Sequence, residues 1–170
     1  MSRLGELTRK VDGFFARVAD RHGAEMQCAT GCSDCCHVRL TITGVEAAAI
    51  RGYVASWPRE RRDQLAVTQP SAPRAERCAA LDAAGRCRIY DARPLVCRSH
   101  GVPIRMQRGG LPVIQNCHHN FHRTAPDADC ILDQTTLSAL LLAVDTAERP
   151  TGEPAHRIDL ASLLADLAAG

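Results

Sequence analysis

The stretch CATGCSDCCH, Cys28 to His37, places four thiols, Cys28, Cys32, Cys35 and Cys36, within nine residues. Four more follow at Cys78, Cys87, Cys97 and Cys117, and a ninth cysteine stands apart at Cys130. Thiols gathered in this way pair as disulfides, cycle as a redox couple, or bind metal. Gly31 lets the first loop curl around an ion. Eight thiolates in two sequence groups are the number needed for two four-coordinate sulfur sites. Soft sulfur selects zinc, iron in clusters, or Cu(I), and disfavours magnesium and calcium. Adjacent Cys35 and Cys36 are expected to diverge and so to serve two metals or two corners of a cluster. Zinc and an iron–sulfur cluster both remain open as the cofactor.

Other chemistry has weaker support. Cys32-x2-Cys35 has the spacing of a thioredoxin-type dithiol, but no βαβ pattern surrounds it. Cys28, Cys32 and Cys35 also fit the bare CxxxCxxC spacing of radical S-adenosylmethionine enzymes. Asp34 stands there where an aromatic is usual, and the alternating strands and helices of a partial barrel are missing. His100, at x2 spacing from Cys97, and His118, His119 and His122 behind Cys117 are candidate nitrogen ligands, weighed against plain surface histidines. His37 is a candidate donor to the neighbouring sulfurs. A four-thiolate zinc site and a cysteine-ligated [4Fe–4S]²⁺ cluster each carry about −2, so nearby cations are expected. Arg93 and Arg98, flanking Cys97, are placed to supply them; the alternative for Arg93 is a packing role before Pro94. Tyr90 is expected to pack a hairpin. Cys130, among Asp127, Asp129 and Asp133, reads as a small buried hydrophobe outside the ligand set, its acidic neighbours disfavouring a thiolate.

The elements that must hold these loops are mostly helical. Leu4, Leu7, Val11, Phe14, Phe15 and Val18 recur at helical spacing between a Ser2 cap and a Gly23 stop. Thr43 and Glu46 form a capping box for a helix through Ile50 and Val54, and Pro58 opens a shorter one. Gln69 to Arg77 reads as a loop. Asp82 to Gly85 is turn chemistry that would set Cys78 and Cys87 facing each other across a hairpin. Pro94 starts a turn of helix carrying Cys97, and Arg108-Gly109-Gly110 turns a second hairpin from Val102 to Gln115. Leu137, Leu140, Leu141 and Val144 form one late apolar helix, and Leu160, Leu163, Leu164 and Leu167, capped by Asp159, form another. From Cys78 to Asn120 few apolar anchors are evident, so metal is expected to order that segment. The fold class is therefore mainly α with small β-hairpins: a single compact domain over residues 1–170, its helices packed around cysteine-rich metal-binding loops. The metal-binding core lies at about 28–121 and the C-terminal helices at about 130–169.

Composition sets the context. The chain has 170 residues and a formal charge of +2, with 20 of its 21 basic residues arginine, too little net charge for a nucleic-acid footprint. The basic run around Arg59 to Arg62 includes Glu60 and reads as a solvated helix face. No signal peptide or membrane-length apolar run is apparent, so a cytoplasmic location without membrane attachment is expected, where thiols stay reduced.

The cysteine pattern resembles the YkgJ-type cysteine-cluster family, a zinc- or iron-chelating domain. The loop ending in Cys35-Cys36 looks like the family's first motif. Cys78 followed by CRIYDARPLVCR, Cys87 to Arg98, is similar to its second, and Cys117 with Asn120-Phe121 is similar to its third. The resemblance runs from about Cys28 to Phe121. It implies that Cys28, Cys32, Cys35, Cys36, Cys78, Cys87, Cys97 and Cys117 are the metal ligands; His118-His119 departs from the expected Pro-containing pair. The leading function is metal binding, with the metal ion as partner and a protein partner unknown. A redox or peptide-modifying enzyme with open coordination and a metal-stabilised interaction module are the alternatives. No Ser-His-Asp set, phosphate-cradling Gly loop or His-Glu-x-x-His motif supports an ordinary hydrolase or nucleotide enzyme.

Overall fold

The computed structural model describes residues 2–65 and 77–170. The expected loop from Gln69 to Arg77 lies almost wholly outside the described residues. Six α-helices and short strands make up the regular structure among those residues: α1 (Arg3–His22), β1 (Thr41–Ile42), α2 (Gly44–Ala55), α3 (Arg59–Asp63), α4 (Leu95–Ser99), β2 (Ile104–Arg108), β3 (Leu111–Gln115), β4 (Leu132–Asp133), α5 (Gln134–Glu148), β5 (Ile158–Asp159) and α6 (Leu160–Ala169). The fold is mainly α with small hairpins. The chain divides into two compact units, each built from two segments: Met1–Ala29 with Leu95–Ala147, and Thr30–Pro94 with Glu148–Gly170.

In the first unit, α1 begins where Ser2 Oγ accepts the Gly5 N–H at 3.1 Å and ends at Gly23. Its apolar stripe buries Leu4, Leu7, Val11 and Val18, and α4 packs against it. Arg98 of α4 donates to Asp12 of α1 at 2.8 and 3.1 Å. The glycine pair Gly109-Gly110, both at positive φ, closes the β2–β3 hairpin, as the twist of a two-residue hairpin turn requires. β4 then pairs with β2 in parallel, a contact between distant segments that local sequence does not signal. Val18, Val102 and Cys130 form the centre of a buried cluster with Phe14, Phe15, Met26, Ile104, Phe121 and Leu132 around it. α5 differs from its sequence pattern in burial: Leu137 is covered, whereas Leu140 is about half exposed at 49%.

In the second unit, α2 starts at a complete capping box. Glu46 accepts from the Thr43 N–H and hydroxyl at 3.0 and 2.9 Å. Asp159 caps α6 by accepting the Ser162 N–H at 2.9 Å. Ile42, Ile50, Val54, Trp57, Leu65, Ile89, Leu160, Leu163 and Leu164 form its core, and β1 pairs with β5 beside them. The segment from Cys78 to Asn120 is better anchored than its composition implies. Leu81, Ile89, Leu95 and Val102 within it are all 2% exposed or less, divided between the two units. Arginines, prolines and glycines are interspersed there, but widely spaced aliphatic residues do the burying.

Candidate metal centre

Five of the eight candidate cysteines, Cys32, Cys35, Cys36, Cys78 and Cys87, belong to the second unit, and three, Cys28, Cys97 and Cys117, to the first. In the second unit a single 3₁₀ turn, Asp34–Cys36, carries the vicinal pair. That turn brings the Cys35 and Cys36 sulfurs to 3.9 Å instead of letting them diverge. A tetrahedral ion with metal–sulfur bonds of about 2.3 Å has its sulfurs about 3.8 Å apart, so both neighbours can meet one ion.

Two links hold the arm from Cys78 to Cys87 against this loop. The Cys78 N–H donates to the Cys36 carbonyl at 2.8 Å. Gly85, at φ +77, comes so close that a Cβ there would lie 3.2 Å from Ser33 Oγ and 3.3 Å from the Gly31 carbonyl. Asp82 makes the turn, its carboxylate accepting the N–H groups of Ala84 and Arg86. The pairing sets Leu81 opposite Cys87, where the sequence suggests Cys78.

The electrostatics differ among these thiols. A thiol hydrogen bond from Cys36 pulls Cys35 down to about 7. Burial raises Cys78, with the charge of Cys35 adding to it. Burial also pushes Cys87 up to about 11; the Ile89 N–H acts against it, Cys78 adds to it, and Arg93 opposes it. Arg93 thus supplies positive charge near Cys87, while its guanidinium lies over the Tyr90 ring at 3.8 Å.

In the first unit the organising residue is Asn120, 1% exposed. Its amide nitrogen donates to the Gly101 carbonyl at 2.7 Å and to Cys28 Sγ at 3.3 Å. Its carbonyl oxygen accepts the Gln27 N–H at 2.8 Å, and its own N–H reaches the Cys117 carbonyl at 2.9 Å. Cys28 and Cys117 are therefore both tied to one buried residue, Cys28 through its side-chain amide and Cys117 through its backbone N–H. Gly101, four residues after Cys97, has φ +103, and a Cβ there would stand 2.6 Å from Cys28 Sγ. Arg98, expected to face sulfur, pairs with Asp12. His100 is exposed; the His118 and His119 rings lie with centroids 3.9 Å apart, tilted by 44°.

Sequence spacing does not single out Asn120 or Gly101 as supports of Cys28, although Asn120 stands in the third family-like motif. Asn120→Ala removes a buried donor and acceptor and strands the Gly101 carbonyl and Gln27 N–H. We expect a loss of about 2–4 kcal/mol in chemical denaturation, with lower metal content in the purified protein.

Among the described residues no three of the eight sulfurs lie within 4.8 Å of one another. The donor set is nevertheless a soft, all-sulfur one, with the vicinal pair already at tetrahedral spacing. No described helix is long and apolar enough to cross a membrane. No curated protein and no solved structure matches the chain significantly. One family profile does, over residues 27–126, more than half of the chain and spanning all eight cysteines; the protein belongs to that family, CxxCxxCC, described as "Putative zinc- or iron-chelating domain".

Proposed function

We propose that this protein is a zinc-chelating protein whose ligands are the thiolates of Cys28, Cys32, Cys35, Cys36, Cys78, Cys87, Cys97 and Cys117. The observation that favours zinc over a [4Fe–4S] cluster is the 3.9 Å separation of the Cys35 and Cys36 sulfurs. Two thiolates at that spacing chelate one tetrahedral ion, whereas in a [4Fe–4S] cluster each iron takes a single cysteine and the ligands project apart. Cys35, Cys36, Cys78 and Cys87 make one four-coordinate site in this reading, the arm from Cys78 to Cys87 moving in as the ion binds. Zinc bound by four thiolates is redox-inert and leaves no open position, which favours chelation or structural support over catalysis. Reduced thiols suit a cytoplasmic setting.

Anaerobic purification followed by elemental analysis and an absorption spectrum tests the proposal. Stoichiometric zinc in a colourless protein is the expected result. Iron with acid-labile sulfide and broad visible absorbance would replace zinc by a cluster. Freely titrating thiols with no metal at all would remove the chelating role.

A further inference from the structure

A second group of ligand atoms is already gathered in the first unit, outside the residues matched by the family. A ring nitrogen of His22, a carboxylate oxygen of Asp127 and Sγ of Cys130 all lie within 4.8 Å of one another. Cys130 is fully buried, the His22 side chain is 10% exposed, and Asp127 is open to solvent at 53%. We propose that these three residues form a separate binding site for a borderline divalent cation of the zinc or cobalt type, with a fourth position facing water beside Asp127.

Four observations support it. His22 Nε2 and Asp127 Oδ2 stand 3.3 Å apart, the edge of a tetrahedron whose bonds are about 2.0–2.1 Å long. One imidazole, one thiolate and one carboxylate are a zinc-type donor set, and three protein ligands leave room for a water. His22 is the last residue of the 20-residue α1, where the partial negative charge of the helix C-terminus favours a cation. The Phe121 ring packs on the His22 ring with centroids 5.4 Å apart and fixes its orientation.

The neighbouring charges nearly balance, with Arg17 at the Asp129 carbonyl as an added cation. Arg21 lies 3.7 Å from Cys130 Sγ and 3.5 Å from Asp127, but it is held by both Asp129 carboxylate oxygens at 2.7 and 2.8 Å. With a dication bound, two positive charges on the ion and one on Arg21 meet single negative charges on Cys130, Asp127 and Asp129. Arg21 then donates to the bound thiolate instead of competing with the ion. This also changes the meaning of the acidic sequence around Cys130, because its carboxylates answer an arginine from α1.

The test is anaerobic titration with Co²⁺ alone of the full-length protein and of Cys130→Ser, Asp127→Asn and His22→Gln. Wild type is expected to bind one equivalent more than Cys130→Ser, and the thiolate-to-cobalt charge-transfer intensity of that equivalent should vanish in the serine variant. Asp127→Asn, on a solvent-exposed side chain, should fold normally and weaken the same equivalent at least 10-fold, as should His22→Gln. Unchanged cobalt stoichiometry and affinity in Asp127→Asn and Cys130→Ser would overturn the proposal. The readout is a difference between variants that retain all eight family cysteines, so it stands apart from the outcome at the main centre.

Discussion

Stripping the metal anaerobically is expected to lower the melting temperature by on the order of 10 °C. At free metal about 1,000-fold above Kd, linkage contributes about 4 kcal/mol, and each kcal/mol moves the midpoint of a chain this size by about 2–4 °C. The loss should be localised. Cys28, Cys32 and Cys35 are exposed, and the stretch from Cys28 to His37 has a single short 3₁₀ turn as regular structure. With the proposed ligands, much of its order depends on what its sulfurs hold. α4 is different, since Leu95 is 2% exposed and Arg98 is paired to Asp12. Hydrogen exchange on metal-free and metal-loaded protein should show faster exchange in residues 28–37 on metal loss, with a smaller change across 95–99. Equal protection of residues 28–37 in both forms would sever metal binding from local folding.

The second large effect is expected at Gly101. Gly101→Ala forces a side chain into the left-handed region at φ +103 and places its Cβ 2.6 Å from Cys28 Sγ. The sulfur must move, and with it goes the hydrogen bond from Asn120. We expect a loss of about 2–4 kcal/mol, combining backbone strain with the broken contact, together with metal content below wild type. Gly109→Ala is the control: it also has positive φ, at +59, but nothing lies within 4 Å of the added carbon. It should cost about 1–2 kcal/mol and leave metal content unchanged. Equal metal loss in both variants would show that Gly101 acts through general stability and not through Cys28.

Helix caps and turns were legible in the sequence because their causes are local. Ser2, Thr43 with Glu46, Asp159 and the Gly109-Gly110 turn each act within four residues, and all stand as the sequence indicates. The mutual placement of distant segments was not legible. The β2–β4 pairing, the seat of Cys28 between Asn120 and Gly101, and the approach of His22 to Asp127 and Cys130 join residues about 20 to over 100 positions apart. Periodicity and turn chemistry contain no information about such closures. The vicinal pair shows the same limit at short range: alternation of neighbouring side chains holds for extended backbone, and the 3₁₀ turn at Asp34–Cys36 suspends it.

That turn also bears on poisoning. Two sulfurs held 3.9 Å apart, with Cys35 exposed and its proton loosely held, form a pincer open to any thiophilic ion in the surrounding fluid. Cadmium, mercury and trivalent arsenic are softer than zinc and bind such dithiols more tightly. If the metal is zinc, the geometry that eases its capture also eases its displacement, and exposure to these toxicants should convert the protein to a heavy-metal form.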